Sequence, residues 1–224
     1  MHSRSAEERR AELVELYREA QVCARCPLSK TRTQVVFGSG NANADLMFVG
    51  EAPGMHEDQQ GLPFVGRAGQ LLNKLLEEIG LTREDVFIAN VLQSRPPGNR
   101  DPQPDEIDAC KPFLHRKVEL IEPKVICTLG NFSTKLLTRS QRGITSVHGR
   151  PQVHELGGRL LRVYPLFHPA AALRSTKTLE ELRTDFARLP ALLEEPPPVP
   201  IGAVAPLAAV AAAPSEQPPP TLFD

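Results

Sequence analysis

The sequence has no apolar run near the ~18 residues that a membrane-spanning helix needs. Its opening, MHSRSAEERR, is too polar for a secretory leader, so the expected compartment is the cytoplasm. Thiols stay reduced there, which makes the four cysteines better candidates for metal ligands than for disulfides. Charge of one sign is missing too. The formal net charge is −1, and residues 1–195 carry +1, because the stretch from Pro196 onward holds two acids and no base. Neither value announces a polyanion partner, so any nucleic-acid contact must come from a local patch.

What is present suffices for a packed core: 41% of the residues are hydrophobic and 24% charged, which excludes disorder of the whole chain. Nine of the 22 prolines fall in PPPVPIGAVAPLAAVAAAPSEQPPPTLFD at the end. Residues 196–224 therefore read as a flexible, partly polyproline-II tail, and 1–195 as one folded domain.

Within that domain apolar strands alternate with helices. Strands are expected at Asp45–Gly50, Val86–Val91, Val125–Leu129 and Leu161–Phe167. Helices are expected at Glu7–Gln21, Arg67–Ile79, Asp105–Ile121 with a kink at Pro112, from Asn131, and from a capping box at Thr178 and Glu181. Continuous apolar strands separated by helices predict an α/β fold, a three-layer α/β/α sandwich around a central four-stranded parallel sheet. Ligands of such sheets bind beyond the carboxyl ends of the strands. Here those ends carry Gly50-Glu-Ala-Pro-Gly54, Asn90, Gly130-Asn131 and His168-Pro169, all polar or glycine-rich.

The cysteines form one CxxC pair, Cys23 and Cys26, with Cys110 and Cys127 standing alone. CxxC lets two sulfurs reach one site from a single turn. A four-thiolate site drawing on all of them would suit zinc or an iron–sulfur cluster, and a second CxxC, which would favour a zinc ribbon, is missing. The plain alternative makes Cys110 and Cys127 small core residues.

The segment GEAPGMHEDQQGLPFVGRAG (50–69) runs from a strand through Glu51, a Pro-Gly turn and Glu57-Asp58 to Phe64 and a helix. Taken singly, Phe64 suits a core, Glu57 and Asp58 a solvated surface, and His168 a strand end. Taken together with Ile88-Ala-Asn-Val91, Ser94-Arg-Pro-Pro-Gly-Asn-Arg100 and Phe167-His-Pro-Ala170, in this order and spacing, they closely resemble family 4 uracil-DNA glycosylases, the iron–sulfur branch of that superfamily. The resemblance spans roughly residues 20–190 and does not cover the tail.

The resemblance implies a bacterial base-excision-repair hydrolase, associated with the nucleoid and monomeric. It would flip uracil out of single- or double-stranded DNA and cut its N-glycosidic bond. It further implies that Phe64 stacks on the base, that the Asn90 amide reads uracil and rejects cytosine, and that His168 donates to O2 as negative charge grows there. Family 1 enzymes carry an aspartate where this chain has Ala52, which leaves Ala52 to line the uracil. Glu51 and Glu57 are then the candidates to orient the water or to stabilise the cation, Glu51 first, with blocking of the thymine methyl group an alternative role for one of them; Asn99 is a further polar candidate for the water or a phosphate. Arg100, Arg150 and Arg174 are expected to hold phosphates, and Leu173 to fill the gap in the duplex. Cys23, Cys26, Cys110 and Cys127 would hold a 4Fe-4S cluster with a structural role. The terminal Gln217–Asp224, with its Leu-Phe, is similar to short sliding-clamp-binding peptides.

Overall fold

The structure, a computed structural model, describes residues 4–199. The clamp-type peptide Gln217–Asp224 lies outside the described residues, as does all of the Pro/Ala-rich tail beyond residue 199.

The strands are β1 (Ser39–Gly40), β2 (Leu46–Gly50), β3 (Phe87–Asn90), β4 (Val125–Leu129), β5 (Gln152–Leu156) and β6 (Arg159–Leu166). They form one sheet in the order β1-β3-β2-β4-β6-β5. The four inner strands are parallel, as their unbroken apolar runs predict. The two edges were not expected and are antiparallel: β1 on β3, and β5 on β6 through a tight turn at Gly157-Gly158. After the short edge strand β1 the parallel core begins in the middle at β2, steps to β3, then crosses to β4, so the order reverses beside β2. That reversal opens a crevice at the carboxyl ends of the strands.

Helices cover both faces. On one face α1 (Ala6–Gln21) packs on α4 (Pro104–Ile121), and Glu12 of α1 pairs with Arg116 of α4. A capping box of Ser5 and Glu8 starts α1, and α4 continues through Pro112. α5 (Asn131–Thr138) follows β4 and leads into α6 (Ile144–Val147). The opposite face carries α3 (Arg67–Glu78), α8 (Thr176–Phe186) and α9 (Leu189–Glu194), whose leucines meet Phe48, Tyr164 and Phe186. α8 begins earlier than expected: Ser175, not Thr178, is its N-cap and accepts the Thr178 N–H at 3.2 Å. Pro190 in the first turn of α9 marks where the single helix expected here divides in two. α2 (Met55–Gln60) and α7 (Pro169–Ala172) are one-turn helices just past β2 and β6. No helix of the described residues is long and apolar enough to cross a membrane.

Candidate active site

A cavity of about 400 Å³ lies at the carboxyl ends of β2, β3 and β6. Glu51, Ala52, Glu57, Phe64, Asn90 and His168 all line it, and Asn99 and Arg100 close its rim. Residues from three of the four expected strand ends thus meet at one place, while Gly130-Asn131 after β4 does not line the cavity.

Asn90 closes β3 and is paired in register with Gly50 of β2. It is 2% exposed, and its Oδ1 has no hydrogen-bond partner among the described residues. A buried amide oxygen without a partner costs about 1–3 kcal/mol, a cost borne where a ligand supplies the missing donor. Gly50 makes the approach possible. A Cβ there would stand 2.4 Å from Asn90 Oδ1 and 2.7 Å from the Phe64 ring.

Phe64 is buried, with its ring centroid 5.7 Å from that of His168 and the planes 32° apart. Its backbone sits at φ 53°, a left-handed conformation that a bulky residue adopts only when its surroundings impose it. Arg83 imposes it by donating to Pro63 O at 2.7 Å and to Phe64 O at 2.9 Å. Glu57 holds the other side: its Oε1 accepts the N–H groups of Val65 at 2.9 Å and Gly66 at 2.8 Å. Asp58, which a surface reading would leave in solvent, is 5% exposed and accepts the Thr33 N–H at 2.9 Å. That bond ties α2 to the segment after CxxC. The sequence pattern does not reveal Arg83; it lies in the loop before β3 with no neighbouring motif.

His168 is the N-cap of α7, and its Nδ1 accepts the Ala170 N–H at 3.1 Å. The proton of the neutral ring therefore sits on Nε2. Burial pulls its pKa down to about 4, against a smaller opposing pull from the Glu57 charge. His168 is thus a neutral donor near pH 7.

Glu51 is partly buried and makes no side-chain hydrogen bond to a described residue, while burial and, after it, the Asp101 charge raise its pKa. A carboxylate so placed is the better base of the two candidates. The left-handed Asn99 accepts from Arg95 Nε through Oδ1 at 2.8 Å, which leaves its amide N–H groups for other partners. Of the residues expected to contact DNA, Arg100 is paired with the buried Glu106 at 2.5 and 2.9 Å. Arg150 and Arg174 are exposed, as is Leu173 at 41%. Asn131 is spent locally, capping α6 through the Ile144 N–H at 2.7 Å.

The cysteines do not assemble as expected. Cys110 of α4 packs with Cys23 and Cys26 against the face of the sheet that includes Ile126. Burial raises the Cys110 thiol, with the Cys26 and Cys23 sulfurs close enough to add to it. Cys127 departs from this set. Side chains alternate along β4, so Cys127 lies beside Phe48 and Tyr164 on the opposite face, with the sheet in between. Burial drives its thiol well above the ordinary range, with the Asp185 charge as the lesser cause. The expectation that all four cysteines meet is therefore corrected: Cys23, Cys26 and Cys110 share one face and Cys127 lies on the other. No group of three or more His, Cys, Asp or Glu among the described residues closes on a single metal ion. A cluster whose thiolates bind separate irons does not require that closure. Three soft thiolates on one face fit an iron–sulfur group; a fourth thiolate is absent from that face among the described residues.

Over residues 37–189 the chain matches the uracil DNA glycosylase superfamily. A type-4 uracil-DNA glycosylase from Thermotoga maritima is 47% identical over 168 residues, 74% of this chain and 86% of the relative. One from Saccharolobus solfataricus is 45% identical over 184 residues, 80% of this chain and 85% of the relative. A type-5 enzyme from Pyrobaculum aerophilum is 28% identical over 179 residues. The chain belongs to the uracil-DNA glycosylase superfamily and, within it, to the type-4 family.

Proposed function

We propose that the cavity takes one uracil rotated out of single- or double-stranded DNA and that hydrolysis of its N-glycosidic bond there leaves an abasic site. The activity, uracil-DNA glycosylase in DNA repair, is that of the family to which the chain belongs. The observation that supports the placement is Asn90 Oδ1, a buried acceptor without a described partner, in a cavity shared with Phe64 and His168.

In this reading Phe64 stacks on the base while Asn90 accepts from uracil N3–H and donates to O4. Cytosine presents the reverse pattern and leaves buried groups unpaired. The bond between C1′ and N1 breaks with its electron pair leaving on the base. The resulting negative charge on O2 is met by the Nε2–H of neutral His168, which matters most in the transition state. A water adds its oxygen to C1′ and gives its proton to Glu51. Glu57 keeps the Phe64 loop in place, and Ala52 lines the base without a charge. Arg150, Arg174 and the rim side of Arg100 hold phosphates, Leu173 fills the vacated stack, and Asn99 offers an amide to water or phosphate.

Cys23, Cys26 and Cys110 hold a 4Fe-4S cluster in this reading. When bound, the cluster supplies folding energy and loop order, since uracil excision has no net redox step. The chain acts as a monomer in the cytoplasm, and Gln217–Asp224 docks on a sliding clamp; deleting 217–224 is expected to abolish clamp binding, and unchanged affinity removes that idea.

The activity test is direct. Purified protein incubated with uracil-containing oligonucleotides, single- and double-stranded, gives alkali-labile breaks at uracil and none at thymine. A DNA-binding module without catalysis binds the strand and yields no break.

A further inference from the structure

The position of Cys127 leaves the cysteine site one thiolate short, and a buried hydroxyl is tied to the segments that carry the other three. Gln93 and Ser94 lie in the segment that follows β3, and each is linked to one of the two cysteine-bearing segments. The Gln93 N–H lies against the Cys110 sulfur. Ser94 is 3% exposed, and its Oγ accepts from Arg32 Nη1 at 3.4 Å. The same guanidinium donates through Nη2 to Gln21 O at 3.2 Å, two residues before Cys23. Ser94 is thus a buried oxygen joined to the CxxC segment through Arg32 and to Cys110 through its chain neighbour.

We propose that the iron–sulfur cluster of this chain is held by three thiolates, Cys23, Cys26 and Cys110, with the Ser94 hydroxyl facing the fourth iron and Cys127 taking no part. The inference rests on the cluster reading above and adds to it a distinct iron. Oxygen is a harder, weaker partner for iron in such a cluster than thiolate, so that iron is the exchangeable one. The site also sits behind the cavity. Ser94 opens the loop that continues to Asn99 and Arg100, while Cys110 lies one helical turn beyond Glu106, which holds Arg100. Loss of the fourth iron would therefore loosen the rim of the uracil slot rather than its base.

The test uses full-length protein purified anaerobically, with iron and sulfide counted per chain, the visible absorption of the cluster followed during challenge with the chelator EDTA, and the paramagnetic resonance of the dithionite-reduced form recorded. Cys127→Val, which suits a buried strand position, is expected to keep the iron content, spectrum and chelation rate of the unchanged protein. Ser94→Cys is expected to slow loss of iron to EDTA by about tenfold or more and to alter the resonance, because a fourth thiolate now binds. Loss of the cluster in a folded Cys127→Val protein overturns the inference, as does a Ser94→Cys protein that matches the unchanged one in both resonance and chelation rate. An unchanged protein that carries no iron under anaerobic preparation removes the cluster reading itself, and with it this inference.

Discussion

The backbone N–H of Ala170 donates to Nδ1 of His168 at 3.1 Å, and this short loop bond decides which ring nitrogen faces the cavity. The bond exists only while Nδ1 is an unprotonated acceptor, so it and the burial act together to keep the ring neutral with its proton on Nε2.

Removing that donor has a defined expected effect. His168→Ala lowers single-turnover uracil release by about 10²–10³-fold, the scale found for losing one oxyanion donor, and changes the dissociation constant for uracil DNA far less. Unchanged release under saturating enzyme would exclude His168 from the chemistry.

The same ring sets a pH dependence. Its folded pKa of about 4 lies below the ordinary value of 6.5, so between those values the unfolded chain binds more protons than the folded one. Its contribution to stability is present in full above about pH 6.5 and is lost as the pH falls toward 4. Thermal unfolding at pH 7.5 and pH 5 reads this difference. His168→Asn is expected to lose less stability across that interval than the unchanged protein, and an equal loss contradicts the assignment.

Asn90 carries the choice of base. Asn90→Asp replaces the amide donor with a carboxyl, and the preference for uracil over cytosine is expected to fall by about tenfold or more, since unpaired buried polar groups are what reject the wrong base. Rates of release from matched uracil and cytosine oligonucleotides measure it.

The two glutamates separate by kinetics. Glu51→Gln removes the proton acceptor and is expected to lower kcat by about 10²–10⁴-fold with little effect on KM. Glu57→Gln weakens the grip on Val65 and Gly66, so the expected result is a lower melting temperature and a raised KM, with the smaller effect on kcat. A reversal of these two patterns moves the water to Glu57.

Gly69 probes the strained loop. A Cβ there would stand 1.7 Å from the Phe64 carbonyl oxygen. Gly69→Ala is therefore expected to destabilise by about 1–3 kcal/mol and to displace the stacking ring, read as a lower melting temperature together with weaker binding of free uracil.

Much of this arrangement is legible in the sequence because two kinds of signal carry far. Buried parallel strands read as unbroken apolar runs, and the residues at and just after their ends mark the site, which is how Asn90, Glu51 and His168 are found; Phe64, well past β2, emerges only from the family resemblance of the whole 50–69 segment. The edges leave weaker traces. β1 has two residues, and β5 alternates polar and half-buried side chains, so Gly157-Gly158 is the one strong mark of its hairpin.

Cys127 shows a different limit. In the run VICTL every residue is apolar enough for a core, and nothing in the run tells which helix layer Cys127 will face. Its separation from Cys110 follows from strand alternation combined with the packing of α4, and only the assembled sheet supplies both. Arg83 is silent for a similar reason. Its work is done on the carbonyl groups of Pro63 and Phe64, and contacts with backbone leave no partner residue to recognise.

Side chains from separate strands form one slot for one base, and a crystal structure of the protein soaked with free uracil would show that slot filled. The expected result is uracil against the Phe64 ring, its N3–H on Asn90 Oδ1 and its O2 on His168 Nε2. Uracil bound elsewhere, or seated there with its O2 turned away from His168, contradicts it.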